Sequence, residues 1–307
     1  MAILAVGSVA FDTVTTPSGH AENVLGGSGT YFSLAASYFT EVRLVAVVGE
    51  DFTPEHEQVL TKRKVDTRGL EHEKGKTFRW GGQYLDSLND AKTDFTELNV
   101  FESFQPRIPA EYKDSEFLFL GNIHPLLQSA VRLELSEVKL TGGDTMNFWI
   151  QGAPQELRET LKLVNILMIN DGEAKMLAKE SSLPRAARKV LTMGPKALVI
   201  KHGEYGATIF FRDTAYGAGG HAFRAPALPL EEVKDPTGAG DSFAGGFMGY
   251  IASQGNMNRE VIKRALFYGG VMGSFAVETF GTERLQNLTR DEIDARFQLF
   301  RELTHLE

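Results

Sequence analysis

The chain of 307 residues contains no cysteine. Disulfide bonds and cysteine-ligated metal sites are therefore excluded, and a reducing compartment is expected. No run approaches the roughly eighteen uninterrupted apolar residues of a membrane span. The first residues, MAILAVGSVAFD, place no basic residue ahead of a short apolar run. Because a signal peptide needs that basic segment, we interpret them as a first buried strand and expect a cytoplasmic protein.

Several functional patterns are missing as well. The sequence has no G-x-x-x-x-G-K-S/T run, so a P-loop nucleotide site is not supported. It also lacks H-E-x-x-H and G-x-S-x-G, the usual patterns of zinc proteases and serine esterases. The formal net charge is -8. This charge argues against attraction to nucleic acid or anionic membranes, so we expect neither as a partner.

Short apolar runs alternate with helical patterns along most of the chain. This alternation predicts a mostly parallel sheet covered by helices on both faces, in one α/β domain spanning 1–307. The predicted strands are 3–6, 43–48, 117–120, 146–150, 166–169 and 197–201. The predicted helices are 29–39, 54–63, 154–164, 172–179, 184–193, 240–253 and 259–277.

One segment interrupts the alternation. Residues 75–104 are polar with interspersed aromatics, and the pairs Gly81-Gly82 and Asn89-Asp90 are turn signals. The segment predicts antiparallel ribbon, with residues 12–24 as its companion. We expect these two insertions, about 12–24 and 75–104, to form a small β lid that excludes water from a cleft. An ordinary surface hairpin is the alternative.

The most informative stretch is 235–247, with the sequence DPTGAGDSFAGGF. Pro236 and Gly238 indicate a tight turn, and Gly240 opens a helix. A turn that leads into a helix leaves several backbone N–H groups unpaired, which makes an anion site for a phosphate. Asp241 lies in the first turn, where the positive helix end is expected to hold its pKa low and keep it ionised. It would then accept a proton.

This stretch resembles the C-terminal signature of the PfkB carbohydrate kinase family, also called the ribokinase family. Further matches follow in order: 26–29 (Gly-Gly-Ser-Gly), 170–173 (Asn-Asp-Gly-Glu) and 201–206 (Lys-His-Gly-Glu-Tyr-Gly). The resemblance spans nearly the whole chain. It implies a ribokinase-like three-layer α/β/α sandwich with a mostly parallel central sheet and a small β lid.

The resemblance also implies an ATP-dependent kinase that uses Mg²⁺. Asp241 would be the catalytic base, and the amides of Gly238, Ala239 and Gly240 would form the anion hole. Asn170 and Glu173 would lie near the ATP phosphates and organise magnesium with its waters. The other residues matched to nucleotide binding are Lys201, Gly203, Glu204, Gly206, Gly238 and Gly270.

Many family members also bind potassium, several ligands being main-chain carbonyls. The residues matched to that K⁺ site are Asp235, Thr237, Ala276, Thr279 and Gly281.

The acceptor side departs from the ribokinase pattern. Asp12 matches the carboxylate that grips substrate hydroxyls, and Gly26, Gly27 and Ser28 match the substrate floor. Ala10 and Tyr31, however, stand where ribokinases carry Asn. An aromatic ring offers a stacking face to a sugar or a base, and Trp80 and Tyr84 in the expected lid are further candidates.

We therefore expect transfer of the ATP γ-phosphoryl group to a hydroxyl of a small sugar or polyol. Two alternatives stay open: a nucleoside kinase with the same chemistry, acting on an adenosine-like substrate, and an inactive member that only binds a ligand or partner. The resemblance also implies a homodimer formed through the lid, whose sheet edges would be exposed.

Overall fold

The computed structural model describes residues 1–85, 87–89, 91–212 and 222–304. Asp86 and Asp90, within the expected lid, are outside the described residues. The strands in chain order are β1 (Ala2–Val6), β2 (Ala10–Thr16), β3 (Gly19–Gly26), β4 (Glu41–Val48), β5 (Asp66–His72), β6 (Phe78–Gln83), β7 (Lys92–Glu97), β8 (Phe117–Leu120), β9 (Leu140–Gly143), β10 (Ile166–Asn170), β11 (Ala197–Lys201), β12 (Ala207–Phe211) and β13 (Ala222–Ala225).

Helices fill most of the connections between these strands. They are α1 (Ser28–Ala36), α2 (Pro54–Lys62), α3 (Pro125–Glu134), α4 (Asn147–Gly152), α5 (Pro154–Leu161), α6 (Asp171–Ala178), α7 (Leu183–Leu191), α8 (Ala239–Gln254), α9 (Arg259–Ala276), α10 (Glu283–Gln286) and α11 (Arg290–Thr304). Within the ranges that the structure describes, no helix combines the length and the apolar character needed to cross a membrane.

The central sheet has the strand order β13-β12-β11-β10-β9-β8-β1-β4-β5. Its pairs are parallel except those of β12 with β11 and β13. Successive side chains of a strand point to opposite faces. Accordingly Ile3 and Ala5 of β1 join the core formed with α1, α8 and α9, while Leu4 and Val6 join the core formed with α3, α5 and α7. The predicted three-layer α/β/α sandwich is confirmed.

A second sheet has the order β3-β2-β6-β7 and is built by the two interrupting segments. Strands β2 and β6 pair in parallel, with Asp12 beside Trp80 and Val14 beside Gly82. Residues that pair side by side share one face of a sheet. Asp12, Trp80 and Gly82 therefore lie on one face, and Phe95, which pairs with Gly81, lies on the other.

The predicted strand at 146–150 is wrong. Helix α4 begins at Asn147, and the strand is β9, which has the sequence Leu-Thr-Gly-Gly. Glycine is poor in strands, so the segment gives little signal in the sequence. The strand packs closely against α8, since a Cβ on Gly142 would lie 2.8 Å from Met248 Sδ. The other predicted strands and helices are present, with ends within three residues of those predicted.

Helices α1 and α8 pack closely because α8 presents glycines to α1. A Cβ on Gly245 would lie 2.5 Å from the Phe32 carbonyl oxygen and 2.8 Å from Ala35 Cβ. A Cβ on Gly249 would lie 3.0 Å from Ala36 Cα. The glycines thus allow α8 to approach α1 along their length, and this contact determines where the start of α8 lies.

We expect Gly245→Ala to lower the free energy of unfolding by at least about 1 kcal/mol, because overpacking outweighs the gain in helix propensity. Gly152→Ala is the matched control, since a Cβ at that helical position meets no atom within 4 Å. Urea denaturation of both variants measures the difference. Equal stability of the two variants would contradict the packing described for α1 and α8.

Candidate active site

The carboxyl ends of three neighbouring parallel strands form one side of the site. Asp144 follows β9, Asn170 ends β10, and Lys201 ends β11 as the register partner of Asn170. Parallel strands direct their carboxyl ends to one edge of the sheet. The fold therefore brings together three polar side chains that are far apart in the sequence.

Asn170 and Glu173 cap the start of α6 reciprocally. The Glu173 amide donates to Asn170 Oδ1 at 2.7 Å, and the Asn170 amide donates to Glu173 Oε2 at 2.8 Å. This capping box fixes both side chains at the edge of the sheet. Glu173 is buried, which raises its pKa to about 7, and the negative charge of Asp144 adds to the shift.

The turn before α8 is held by Asp235, which is buried. Its Oδ1 accepts from the Thr237 amide at 2.8 Å, and its Oδ2 accepts from the Gly281 amide at 3.0 Å. Gly238 then has φ of 73°. Its Cα lies against the Tyr31 ring, where a Cβ would come within 2.3 Å. Only glycine fits this turn, because a side chain would be strained and would overlap the ring.

The start of α8 presents free amides beside Asp241. The Ala239 amide, predicted to belong to the anion hole, donates to the Pro236 carbonyl at 3.2 Å and closes the turn. The amides of Gly238 and Gly240 have no acceptor among the residues that the structure describes. Unpaired amides at a helix start attract an anion.

Asp12 lies on the acceptor side, at the base of the second sheet. It is only 4% exposed and fits against Gly26, where a Cβ would be 1.9 Å from Asp12 Oδ2. Burial raises the pKa of Asp12 to about 8, and the charge of Asp235 adds to this, while the Gly27 amide opposes it. Ser28 forms reciprocal hydrogen bonds with Ser8. The amide of each serine donates to the hydroxyl of the other.

Tyr31 is 1% exposed, so its ring presents no open stacking face of the kind expected from the sequence. The ring is instead enclosed between α1 and Gly238. Its hydroxyl has no hydrogen-bond partner within the described part of the chain. Burial and the nearby carboxylates of Asp235 and Asp12 raise the pKa of this phenol, which therefore stays protonated at neutral pH.

The predicted nucleotide loop follows β11 directly. Gly203 and Gly206 have φ of 56° and 93°, and Glu204 is exposed. A Cβ on Gly203 would lie 1.8 Å from Asn89 Oδ1, so the β6–β7 connection reaches this loop. Gly270, also predicted to be near the nucleotide, faces α11. A Cβ on Gly270 would lie 3.3 Å from the ring of Phe300.

Residues matched to the potassium site surround the Asp235 turn. Ala276 is buried at the end of α9, and Thr279 Oγ1 accepts from the Arg284 amide at 3.1 Å. Gly281 has φ of 60° and donates to Asp235. A K⁺ site here stays a prediction.

The second sheet also packs against residues 233–237, which lead into α8. Thr16 Oγ1 donates to the Lys234 carbonyl at 2.7 Å, and Ser18 Oγ donates to the Val233 carbonyl at 3.0 Å. Thr237 Oγ1 lies 3.4 Å from Tyr84 Oη. The face that carries Asp12 and Trp80 is thus turned toward the start of α8.

A sequence profile described as "pfkB family carbohydrate kinase" matches residues 2–289. The chain belongs to the pfkB family of carbohydrate kinases. The cytidine kinase of Thermococcus kodakarensis is 30% identical over 272 residues, which are 86% of this chain and 93% of that relative.

Solved structures agree on the fold of this pfkB kinase. The Burkholderia thailandensis nucleoside kinase in complex with inosine has a TM-score of 0.76, with 22% identity over 97% of this chain and 98% of that one. A putative ribokinase II from E. coli in complex with ATP and Mg²⁺ has a TM-score of 0.77, with 22% identity over 97% and 99% of the two chains. Together with the family match, this identifies an ATP-dependent kinase of a sugar or a nucleoside.

One prediction for the proposed base of this pfkB kinase is wrong. The helix start was expected to keep the pKa of Asp241 low, but burial raises it to about 7, and the charge of Asp144 adds to this against the opposing charge of Lys201. Burial shifts a carboxyl pKa by up to several units, whereas a helix end contributes about 0.3 to 1 kcal/mol. Burial therefore dominates.

The pfkB kinase should lose activity in mild acid. Asp241 can accept a proton only when ionised, and its pKa is about 7, so the ionised fraction falls as the pH drops below that value. We expect kcat/KM for the acceptor to fall about tenfold per pH unit below the pKa and to level off above it. Initial rates between pH 5.5 and 9 measure this. An Asp241→Asn variant should be far slower, with a residual rate that falls less steeply, because Asp241 no longer titrates there while Glu173, whose pKa is also about 7, still does.

Rates that stay constant down to pH 5.5 would contradict the assignment of Asp241 as the base.

Proposed function

We propose that this kinase transfers the γ-phosphoryl group of ATP to a hydroxyl of a ribonucleoside. Asp12 would bind ribose hydroxyls, and Asp241 would accept the proton of the attacking one. The pfkB family allows sugars as well as nucleosides as acceptors. Support for a nucleoside comes from the cytidine kinase relative, which is matched over almost its full length, and from the Trp80 side chain.

The position of Trp80 beside Asp12 is the main support for this proposal. It pairs directly beside Asp12 on the face of the second sheet that is turned toward α8. Its indole lies over Gly82, where a Cβ would be 2.5 Å from the ring, and the residue is partly exposed. A carboxyl group for ribose hydroxyls and an aromatic ring for a base thus lie side by side. Stacking of a base on such a ring contributes about 1 to 3 kcal/mol.

Asn170 and Glu173 fit a hydrated Mg²⁺ ion. Both offer oxygen atoms, which are the ligands that Mg²⁺ prefers, and the ion usually keeps several waters. No group of three or more metal-ligating side chains occurs in the part of the chain described, which suits a site completed by water and ATP phosphates. When bound, Mg²⁺ would offset phosphate charge.

The second sheet would act as a lid. Asp12 is 4% exposed and Tyr31 1% exposed, so an acceptor needs this sheet to move before it can reach them. Closure would then exclude water from the phosphoryl group and limit hydrolysis of ATP. Dimerisation through the exposed edge strand β7 stays a prediction.

The acceptor can be tested with ATP, Mg²⁺ and a panel of cytidine, uridine, adenosine, inosine, ribose, fructose and myo-inositol. We expect the best nucleoside to exceed the best sugar in kcat/KM by at least about 100-fold, since binding of the base adds a few kcal/mol. Trp80→Ala should raise KM for that nucleoside about tenfold. Phe95→Ala is the matched control, because Phe95 lies over Gly81 on the opposite face of the same sheet.

Preference for a sugar or polyol would overturn the proposal, and would favour the acceptor first expected from the sequence. Equal KM values for Trp80→Ala and Phe95→Ala would remove Trp80 from the base site.

A further inference from the structure

The side chain of Lys201 reaches from the sheet to the start of α8. A Cβ on Gly240 would lie 2.9 Å from Lys201 Nζ and 3.7 Å from its Cε. The ammonium therefore lies beside Gly240, whose amide lacks an acceptor among the described residues. Sequence comparison marks Lys201 only as the first residue of a nucleotide loop, whose other members lie beyond the end of β11.

Asp144 holds this ammonium in place. Its Oδ2 lies 3.3 Å from Lys201 Nζ, and its Oδ1 accepts from the Thr145 amide at 2.8 Å. The Asp144 carbonyl in turn accepts from Gln128 Nε2 at 3.0 Å. The side chains of Lys201 and Asp144 are 17% and 10% exposed. The pair is thus largely shielded from water.

The ammonium has hydrogen-bonding capacity to spare. A lysine carries three N–H donors. Asp144 is its one hydrogen-bond partner among the described residues, so two donors remain free. Burial lowers the pKa of Lys201, but the carboxylates of Asp144, Glu173 and Asp241 outweigh it and the pKa is raised. The side chain therefore stays charged at neutral pH.

We propose that Lys201 is a catalytic residue that binds the phosphoryl group during its transfer, and that Asp144 is the residue that positions it. In the reaction the bond between the γ-phosphorus and the ADP oxygen breaks, and a bond from the acceptor oxygen to that phosphorus forms. The acceptor proton passes to Asp241, and the bonding electrons of the broken bond leave with ADP. Negative charge thus shifts among the phosphoryl and leaving oxygens beside Gly240.

A fixed ammonium at this place would stabilise that charge more than water could, because it needs no reorientation. This inference depends on phosphoryl transfer from ATP and not on the nature of the acceptor. The simpler explanation is that Lys201 only neutralises the buried carboxylate of Asp144. Both explanations predict a less stable Lys201→Met variant, since an unpaired carboxylate would remain buried.

The double variant Asp144→Asn, Lys201→Met separates the two explanations. It removes both charges together, so its thermal stability should recover toward that of the wild type. If Lys201 is catalytic, the kcat of the double variant should stay about 100- to 1000-fold below that of the wild type, as for Lys201→Met alone. Lys201→Arg should keep part of the activity. Lys162→Met is the control, because Lys162 is 59% exposed and pairs with Glu159 on the surface.

Rates are measured with cytidine, or with the best acceptor of the panel if the wild type does not use cytidine. In the latter case the proposed acceptor fails while the Lys201 test proceeds unchanged. Recovery of wild-type kcat in the double variant would overturn the catalytic role, as would a Lys201→Met variant that is fully active. A persistent loss of kcat in a double variant of restored stability would support it.

Discussion

The site depends on a surplus of negative charge in a place with little water. Asp144, Glu173 and Asp241 lie close enough for their charges to interact, and the charge of Lys201 acts on all three. Burial raises the pKa of each carboxyl group, and the charge of Asp144 adds to the shift at Glu173 and Asp241. The single charge of Lys201 does not balance three carboxylates. The cluster is therefore suited to a ligand that brings a divalent cation with it, as Mg-ATP does.

Several glycines around this cluster lie so close to other groups that a side chain would not fit. Gly238 lies against Tyr31, Gly26 against Asp12, and Gly203 against Asn89. These contacts join the acceptor side, the start of α8 and the nucleotide loop to one another. The second sheet takes part in each region, since Asp12 lies on β2 and Asn89 lies between β6 and β7. Its position therefore affects the binding of both substrates.

Much of the fold could be predicted from the sequence because its strands are short apolar runs and its helices begin at clear signals. The exception is β9, whose sequence Leu-Thr-Gly-Gly lacks the apolar, β-branched pattern of the other strands. Misplacing this strand also hid Asp144, because nothing in the predicted strand order then placed its carboxylate at the carboxyl end of a strand. A polar residue directly after Gly142-Gly143 was the available signal.

Local sequence also could not predict the electrostatics of the site. The low pKa expected for Asp241 rested on its position in the first turn of α8, which is a local property. The raised pKa comes instead from burial and from Asp144, which is almost a hundred positions earlier in the chain. The same holds for Tyr31, which was expected to stack on a ligand and is enclosed by α8. Tertiary contacts decide both outcomes.

The roles proposed for Asp241, Lys201 and the Gly240 amide all require that phosphoryl transfer takes place at the start of α8. A crystal structure of the Asp241→Asn variant with ATP, Mg²⁺ and cytidine tests this most directly, because the slowed reaction preserves the substrates. We predict that a γ-phosphoryl oxygen lies within hydrogen-bond distance of the Gly240 amide and that an acceptor hydroxyl faces position 241. A triphosphate bound with its γ-phosphoryl group away from the start of α8 would contradict the account.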